Sequence, residues 1–365
     1  MKILTEVTPV LFPWAWKGIK LRGGGYRQGR QAVEPAGLSP LQTNPTETPM
    51  DHSSNDTESP EGRRGFLRCM AMAGAGTLWL MKGGVLQAHG LADGNAGAAA
   101  PDATFSFVQV SDSHIGFHKE PNMDVAGSFR DCLARATHQR SRPDFILHTG
   151  DLTHLSRPEE FDTVAQLVRD SGAPHTLYVP GEHDVIGDNG AEFFKRFGEK
   201  QADGGWYSFD HRGVHFVGLI NVLNLKAGGL GFLGPDQLAW LKKDLAPLSA
   251  STPLVVFAHM PLWNLYESWG WGTDDSAEAM TYLKRFGSVT VLNGHVHQVQ
   301  QKVEGTVTFH TARSTAYPQP APGVGPGPGP LKDIVAGSLK HYLGVREVRH
   351  VRGTQVLNVV EEALA

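Results

Sequence analysis

The stretch Phe105–His114, FSFVQVSDSH, joins an apolar strand to a polar end, and the rest of the fold can be worked out from this combination. Phe and Val favour strands, and Asp112 and His114 follow them directly. Further along the chain, short apolar runs alternate with helix-like segments, which is typical of an α/β fold. Strands are also predicted at 144–148, 175–179, 214–220, 254–258, 289–292, 306–311, 345–351 and 355–360. Helices are predicted at 124–138, 159–170, 191–197, 235–245 and 275–286, the last opened by a capping box of Asp275 and Glu278.

Polar residues recur where four later strands are predicted to end. These residues are Asp151 in ILHTGD, Glu182, His183 and Asp184 in LYVPGEHD, His259 in VVFAH, and His295 and His297 in VTVLNGHVH. Because the carboxyl ends of strands in an open α/β sheet face one crevice, we expect all five clusters to converge there.

The residue types in these clusters predict a metal site. Asp, His and Glu are ligands for hard to borderline divalent ions, and the lack of thiolates argues against a structural zinc site. In Asp112-x-His114 and His295-x-His297 the two residues are two apart, so on extended backbone both side chains point the same way. A glycine at 150, 181 and 294 precedes a candidate ligand and would allow a tight turn. Each motif alone is weak evidence for a metal site, but five such motifs in order, each after a predicted strand, are specific evidence for one.

The ordered motifs resemble those of the calcineurin-like metallophosphoesterases, D-x-H, G-D, G-N-H-D, H and G-H-x-H, over residues 105–311. The resemblance implies a four-layer α/β/β/α sandwich of two mixed sheets flanked by helices, and two divalent ions chosen from Mn, Fe, Zn or Ni. It assigns Asp112, His114 and His297 to one ion, Glu182, His259 and His295 to the other, and Asp151 to both. His183 would be the catalytic histidine, with Asp184 as the partner that orients it.

Glu182 departs from the family pattern, which has Asn at this position. Three carboxylates would then face two dications, so the site carries about one positive charge less than the usual site and should favour singly charged phosphodiesters over monoesters. Alternatively, the longer side chain misses the metal and leaves one site weak or empty.

The predicted activity is hydrolysis of a small-molecule phosphate ester by metal-activated hydroxide, with His183 as acid or charge stabiliser. Within the family, TGDLTH followed by RPEE is most similar to the class III cyclic-nucleotide phosphodiesterases. Two other classes of function stay open. One is a non-catalytic metal- or phosphate-binding protein altered at Glu182, and the other is an interaction module that uses the tryptophan-rich loop after His259.

Several other residues have two interpretations each. His154, three residues after Asp151, could support the metal site or be a solvated loop residue. The aromatic residues that follow His259 could stack on a nucleobase or simply pack. Arg313 could bind phosphate through its guanidinium. Cys132 is predicted to be a small core residue.

The first hundred residues differ in composition from the rest. Residues 1–62 are predicted to be a disordered extension, since residues 23–62 are rich in Gly, Pro, Thr and Ser. Residues 63–98 run from paired arginines through a short apolar segment to A-x-A, which resembles a twin-arginine export signal, the alternative being a buried N-terminal helix. Because such signals lie near the start of a chain, Met50 is expected to be the true start. Residues 102–365 then form one phosphoesterase domain with a Pro/Gly-rich loop at 318–330.

These features predict where the protein works and with what. We expect it to be exported by the twin-arginine machinery and to be periplasmic or extracellular in a bacterium. The apolar run is too short for a stable membrane span, which needs about 20 residues. The formal net charge of −4 and the lack of a dense basic run give no indication of a nucleic-acid partner.

Overall fold

The computed structural model describes residues 103–139, 142–198, 204–351, 354 and 356–365, together with the backbone of three N-terminal strands. These strands are Arg22–Gly23, Thr77–Lys82 and Val85–Gly90, of which the last two pair as an antiparallel hairpin. The paired arginines and the A-x-A segment lie outside the described residues, as does nearly all of the 1–62 extension. The predictions of disorder, export and translation start therefore stay predictions.

The elements from residue 103 onward follow the predicted α/β order. In chain order they are β1 (Ala103–Val110), α1 (Val125–Thr137), β2 (Phe145–His148), α2 (Pro158–Asp170), β3 (Thr176–Tyr178), α3 (Ala191–Phe197), β4 (Tyr207–His211), β5 (Val214–Gly218), α4 (Pro235–Leu245), β6 (Leu254–Phe257), α5 (Ser276–Leu283), β7 (Val289–Asn293), β8 (Gln300–Glu304), β9 (Val307–Thr311), α6 (Leu339–Tyr342), β10 (Gly344–Val351) and β11 (Asn358–Ala363). Each strand and helix predicted in this range is present, the helices at 191–197 and 235–245 with the predicted ends and the other elements with shifted ends. The elements β4, β8 and α6 were not among those predictions.

The strands form two mixed sheets. One has the order β11-β10-β1-β2-β3, in which β1, β2 and β3 are parallel. In this sheet β10 is antiparallel to both of its neighbours, β1 and β11. The other has the order β4-β5-β6-β7-β9-β8, extended at the β4 edge by Arg22–Gly23. Within it β5, β6, β7 and β9 are parallel, and the hairpin partners β4 and β8 are antiparallel.

Side-chain alternation along β1 shows how the layers stack. Phe105 and Phe107 belong to an aromatic core shared with Phe145, Phe209 and other residues from both sheets. Val108 and Val110 face the other way and pack with residues of α1 and α2. On the outer face of the second sheet, α4 and α5 cover a third apolar cluster. This is the predicted four-layer α/β/β/α sandwich, and that prediction is confirmed.

Two polar features stabilise the domain away from the strand ends. His215 on β5 is buried between the carboxylates of Asp210, at 2.7 Å, and Asp244, at 2.9 Å. The predicted capping box at Asp275 is wrong. Its carboxylate accepts hydrogen bonds from the backbone N–H groups of Leu233 and Gly234 instead, so it ties α5 to the start of α4.

Among the described residues, no helix combines the length and the apolar character that crossing a membrane requires.

Candidate metal centre

Five loops meet at the carboxyl ends of β1, β2, β3, β6 and β7, and backbone hydrogen bonds fix two of them together. The N–H of Asp112 donates to the carbonyl of Gly150 at 3.0 Å, and the N–H of His114 donates to the carbonyl of Asp151 at 3.0 Å. The parallel register of β1 and β2 thus continues past the strands and brings the first two motifs side by side.

The backbone conformation of these loops differs from the prediction. Of the eight non-glycine residues with positive φ among the described residues, five are candidate ligands: Asp112 (55°), His114 (41°), Asp151 (52°), His295 (68°) and His297 (55°). The left-handed region is uncommon for side-chain-bearing residues and concentrates at functional sites. The residues two apart therefore converge through left-handed turns, and the predicted extended backbone is wrong.

The three glycines have different roles. Gly150 has a φ of 98°, so it supplies the turn that was predicted for it. Gly181 is needed for space, because a Cβ there would lie 2.1 Å from Oδ1 of Asp151. A Cβ on Gly294 would lie 2.7 Å from Oδ2 of Asp112. Backbone at these two positions approaches the carboxylates more closely than any side chain would allow.

All seven predicted ligands lie together and divide into two clusters. Asp112, His114, Asp151 and His297 offer ligand atoms within 4.8 Å of one another, and Glu182, His259 and His295 do the same. In the first cluster, Nε2 of His114 lies 3.2 Å from Nε2 of His297, which lies 3.3 Å from Oδ1 of Asp112. Nearly all of these side chains are buried.

Asp151 lies between the clusters. Its Oδ2 is 3.4 Å from Nε2 of His114 in the first cluster and 3.4 Å from Nε2 of His259 in the second. Its other oxygen, Oδ1, accepts a hydrogen bond from the backbone N–H of His183 at 2.9 Å, which fixes the carboxylate in this orientation.

The side chain of Glu182 reaches the second cluster. Oε2 lies 2.9 Å from Nε2 of His259, and Oε1 lies 2.9 Å from Nδ1 of His295. The alternative in which the longer side chain misses the cluster is therefore not what the structure shows. Glu182 occupies the space between the two imidazoles with both carboxylate oxygens.

The donor atoms fit divalent ions. Oδ2 of Asp112, Oε2 of Glu182, Nε2 of His259 and both ring nitrogens of His295 are buried without a hydrogen-bond partner. Buried polar atoms are nearly always partnered, so a group of unpartnered ones converging on one space indicates a ligand set. Nδ1 of His259 donates to the carbonyl of Thr149, and Nδ1 of His297 donates to that of Tyr317, both at 2.7 Å. Each of these rings thus presents Nε2 to its cluster, as metal-binding histidines do.

The electrostatics of the site favour ionised carboxylates. Burial opposes ionisation of Asp112 and Glu182, yet the facing imidazoles lower the pKa of both carboxyls, that of Glu182 well below its ordinary value. Burial also lowers the pKa of His114, as do the neighbouring His183 and His297, so this ring is neutral. Burial opposes the charged form of His259, yet Asp151 and Glu182 raise the pKa of this ring well above its ordinary value, so a cation bound there would displace a proton.

His183 lies beside both clusters. Its Nδ1 donates to the carbonyl of His154 at 2.7 Å, and its ring stacks on that of His154 with centroids 5.1 Å apart. Although burial alone would lower it, Asp151 and Glu182 raise the pKa of His183 above the ordinary value. His154 therefore supports this part of the site through its carbonyl and its ring and is not a solvated loop residue.

The expectation that Asp184 orients the His183 ring is wrong in one respect, because the two side chains share no hydrogen bond. The carboxylate of Asp184 accepts from the backbone N–H groups of Gly181, Leu152 and Thr153, at 2.8–3.0 Å, and from the Thr153 hydroxyl at 2.9 Å. Burial and the nearby Asp151 raise the pKa of Asp184 to about 7. Asp184 thus joins the loops that carry Asp151 and His183.

Sequence reasoning missed two residues that follow β9. Tyr317 packs on the rings of His114 and His297, with centroids 4.9 and 4.8 Å apart. Ser314 donates its hydroxyl hydrogen to the carbonyl of Asp112. A polar segment after a late strand was the available signal, but it was interpreted only through Arg313.

Arg313 and the aromatic residues after His259 were considered for the site, but their contacts lie elsewhere in the domain. Nη1 of Arg313 donates to the carbonyls of His341 and Tyr342, so Arg313 anchors α6. In the loop after His259, Trp271 is fully buried, and Trp263 packs on Phe309 with centroids 5.2 Å apart. Trp271 therefore belongs to the interior, and the half-buried Trp263 packs against its edge. The Cys132 side chain, on α1, is fully buried in the apolar cluster that α1 and α2 form with Val108 and Val110, as predicted for a small core residue.

A two-sheet sandwich with an Asp/His cluster at its strand ends defines a class of metal-dependent hydrolases that act on phosphate esters. Residues 105–299, more than half of the chain, match the model of the calcineurin-like phosphoesterase family, and the chain belongs to that family.

Two curated relatives are phosphodiesterases by name. The chain is 25% identical over 232 residues to a "Probable cyclic nucleotide phosphodiesterase" of Psychrobacter arcticus, covering 60% of this chain and 82% of the relative. It is 26% identical over 166 residues to a "Probable glycerophosphodiester phosphodiesterase" of Arcobacter nitrofigilis, covering 42% of this chain and 57% of the relative. Among solved structures, a dimetal phosphatase from Danio rerio shares the fold, with a TM-score of 0.52, 12% identity and coverage of 72% of this chain and 98% of that one. The chain is thus a metal-dependent phosphoester hydrolase.

Proposed function

We propose that the protein hydrolyses small-molecule phosphodiesters at a dinuclear metal centre. One observation carries the proposal. Oδ2 of Asp151 is 3.4 Å from a histidine Nε2 in each cluster, the position that a carboxylate shared by two ions would take. Asp112, His114 and His297 would hold one ion, and Glu182, His259 and His295 the other.

A pair of divalent ions supplies charge for the phosphoryl oxygens and acidifies a water molecule that can attack phosphorus. The protein residues then have separate tasks. The buried carboxylates and imidazoles fix the positions of the ions, and the loops pinned by Asp184 keep the clusters apart at a set distance. Nδ1 of His183 is already committed to the carbonyl of His154, so Nε2 is the nitrogen that can donate to the leaving oxygen.

The charge of Glu182 favours diesters. Asp112, Asp151 and Glu182 contribute three negative charges against four from two divalent ions. This net charge is smaller than that of a site with Asn at 182, and a dianionic monoester loses more attraction than a monoanionic diester does. The names of the two relatives from Psychrobacter arcticus and Arcobacter nitrofigilis support this choice, since both are called phosphodiesterases.

Metal stoichiometry and turnover of model substrates test the proposal. We expect two ions per chain, and faster hydrolysis of bis-nitrophenyl phosphate than of nitrophenyl phosphate with Mn, Fe, Zn or Ni. Glu182→Asn should keep both ions and raise monoesterase activity relative to diesterase activity. An unchanged ratio in that variant would refute the charge argument.

His183→Ala separates catalysis from binding. Nδ1 of His183 is bonded to the His154 carbonyl, and His183 is not one of the seven proposed ligands, so the variant should keep its ions and lose turnover, by roughly 10²–10⁴-fold for a lost acid. A matched control is His138→Ala, which removes an exposed imidazole at the end of α1. Equal turnover in wild type and His183→Ala would refute the assignment of the acid.

A further inference from the structure

The Pro/Gly-rich loop at 318–330 is held by hydrogen bonds at several points, and we call this loop together with Leu331 the strap. Its ends are closed by a hydrogen bond from the N–H of Leu331 to the carbonyl of Pro318 at 2.8 Å. It contains no helix or strand, and its middle is exposed. Loops of this length without regular structure inside compact domains are usually functional or disordered. This strap keeps a defined path because its attachments are specific.

Gln319 attaches the strap directly to a candidate ligand. Its Nε2 donates to the backbone carbonyl of His295 at 2.9 Å. Its Oε1 accepts from the N–H of Gly329, on the returning arm of the strap, at 3.0 Å. The amide oxygen of Gln319 accepts the Gly329 N–H, so the oxygen must lie on that side. The amide nitrogen therefore faces the His295 carbonyl.

Neighbouring contacts place both histidines of the G-H-x-H motif against the base of the strap. Nε2 of Gln298, the residue after His297, donates to the carbonyls of Gln319 and Pro320. The ring of His297 donates to the carbonyl of Tyr317, the residue just before the strap. The loop after β7, which carries His295 and His297, is therefore held in place by hydrogen bonds to residues 317–320.

The far side of the strap runs near the loop that follows His259, which is the other imidazole of the second cluster. A Cβ built on Gly323 would lie 3.3 Å from the hydroxyl of Tyr266, and Tyr266 lies in the segment that continues from His259. The strap thus spans the β6 and β7 loops. Its six prolines, at 318, 320, 322, 326, 328 and 330, restrict the unfolded conformations and make the span stiff.

His295 lacks a support that two of the other histidine ligands have. The rings of His259 and His297 are oriented by hydrogen bonds from Nδ1 to backbone carbonyls, whereas Nδ1 of His295 lies 2.9 Å from Oε1 of Glu182, inside the centre, and no backbone carbonyl orients the ring. Its backbone is also in the left-handed region, with φ of 68°. Fixing the carbonyl fixes the peptide plane after His295, and with it the direction in which the side chain leaves the loop.

We propose that Gln319 is a positioning residue for His295 and that the strap thereby sets the affinity of the second metal ion, the one held with Glu182 and His259. The proposal rests on the dinuclear centre proposed above. Groups that orient a ligand from outside typically contribute 10–100-fold to metal affinity. Replacing Gln319 by an apolar residue of similar size should lower the affinity of the second site for its metal ion and leave the affinity of the first site unchanged.

The test compares Gln319→Leu with the matched control Gln301→Leu, which changes a glutamine on β8 outside the strap. Metal-free proteins are titrated with Mn²⁺ by calorimetry, and turnover of bis-nitrophenyl phosphate is followed against Mn²⁺ concentration. In Gln319→Leu we expect one site weakened about 10-fold or more. Turnover should recover at high Mn²⁺, and the Tm of the metal-free protein should fall by only a few degrees, because water can reach the partners of this half-buried amide. The control should match wild type in all three measurements.

Two results would overturn the positioning role. One is a pair of unchanged affinities in Gln319→Leu, and the other is an equal loss at both sites together with a larger fall in Tm, which would mean a general structural role. A wild-type chain that binds a single ion would instead overturn the dinuclear centre, and the positioning role with it.

Discussion

Removing the carboxylate of Asp184 should destabilise the whole domain, because this buried group joins two site loops. Asp184→Ala leaves three backbone N–H groups, of Gly181, Leu152 and Thr153, without their acceptor. An unpartnered buried donor costs about 1–3 kcal/mol. Water entering the vacated space would recover part of this, so we expect a loss of about 3–5 kcal/mol, as for other disrupted buried charged networks. For a domain of this size the Tm should fall by roughly 6–20 °C.

The assay is chemical denaturation of metal-free protein, followed by metal titration. Asp184→Asn should give an intermediate loss, because its amide keeps one acceptor oxygen and places an N–H₂ group against backbone donors. Asp188→Ala is a suitable comparison. That carboxylate also accepts two backbone N–H groups, but at the more exposed start of α3, where a lost cap costs about 1 kcal/mol. If Asp184→Ala lost turnover but less than about 1 kcal/mol of stability, Asp184 would act on His183 directly and the reasoning would be wrong.

Three further outcomes are expected. Burial lowers the pKa of His215, but its two carboxylate partners raise it above the ordinary value, so the stabilisation is complete below about pH 6.5 and is lost as pH rises through the higher folded pKa. The difference in unfolding free energy between wild type and His215→Asn should therefore shrink from pH 5.5 to pH 9, and a constant difference would contradict this. Gly181→Ala should displace Asp151, costing about 1–3 kcal/mol and metal affinity. Gly327→Ala, where a Cβ meets nothing within 4 Å, should do neither, and equal metal affinity in the two variants would exclude the steric argument. If residues 63–98 direct export, replacing the paired arginines by lysines should retain a folded reporter in the cytoplasm, and continued export would reject that prediction.

The sequence predicted the strands, the helices and the convergence of the five motifs because hydrophobic periodicity is a local property. Asp112 and Asp151 each follow an apolar strand, and the rule that strand ends share a crevice was enough to bring them together. β8 was missed because it is a polar edge strand, Gln300–Glu304, whose side chains are partly exposed. Such a strand has no apolar alternation to mark it.

The orientation of side chains could not be predicted in the same way. Asp184 neighbours His183 in sequence, yet its carboxylate turns toward Gly181 and Leu152, since three backbone donors converge there. Tyr317 and Gln319 lie more than 200 residues beyond His114 and Asp112. Their contacts depend on how β9 and the strap return to the site, which is a property of the tertiary structure.

The position of β10 affects the order in which the protein can fold during synthesis. β10 pairs with β1, and the Arg346 side chain donates to Oε1 of Gln109 across 237 residues of sequence at 2.8 Å. Until residues 344–351 have emerged from the ribosome, β1 is an edge strand, although all seven candidate ligands have already been synthesised. Closure of so long a loop is slow, so we expect the native domain to form only after residues 344–351 are available to pair with β1.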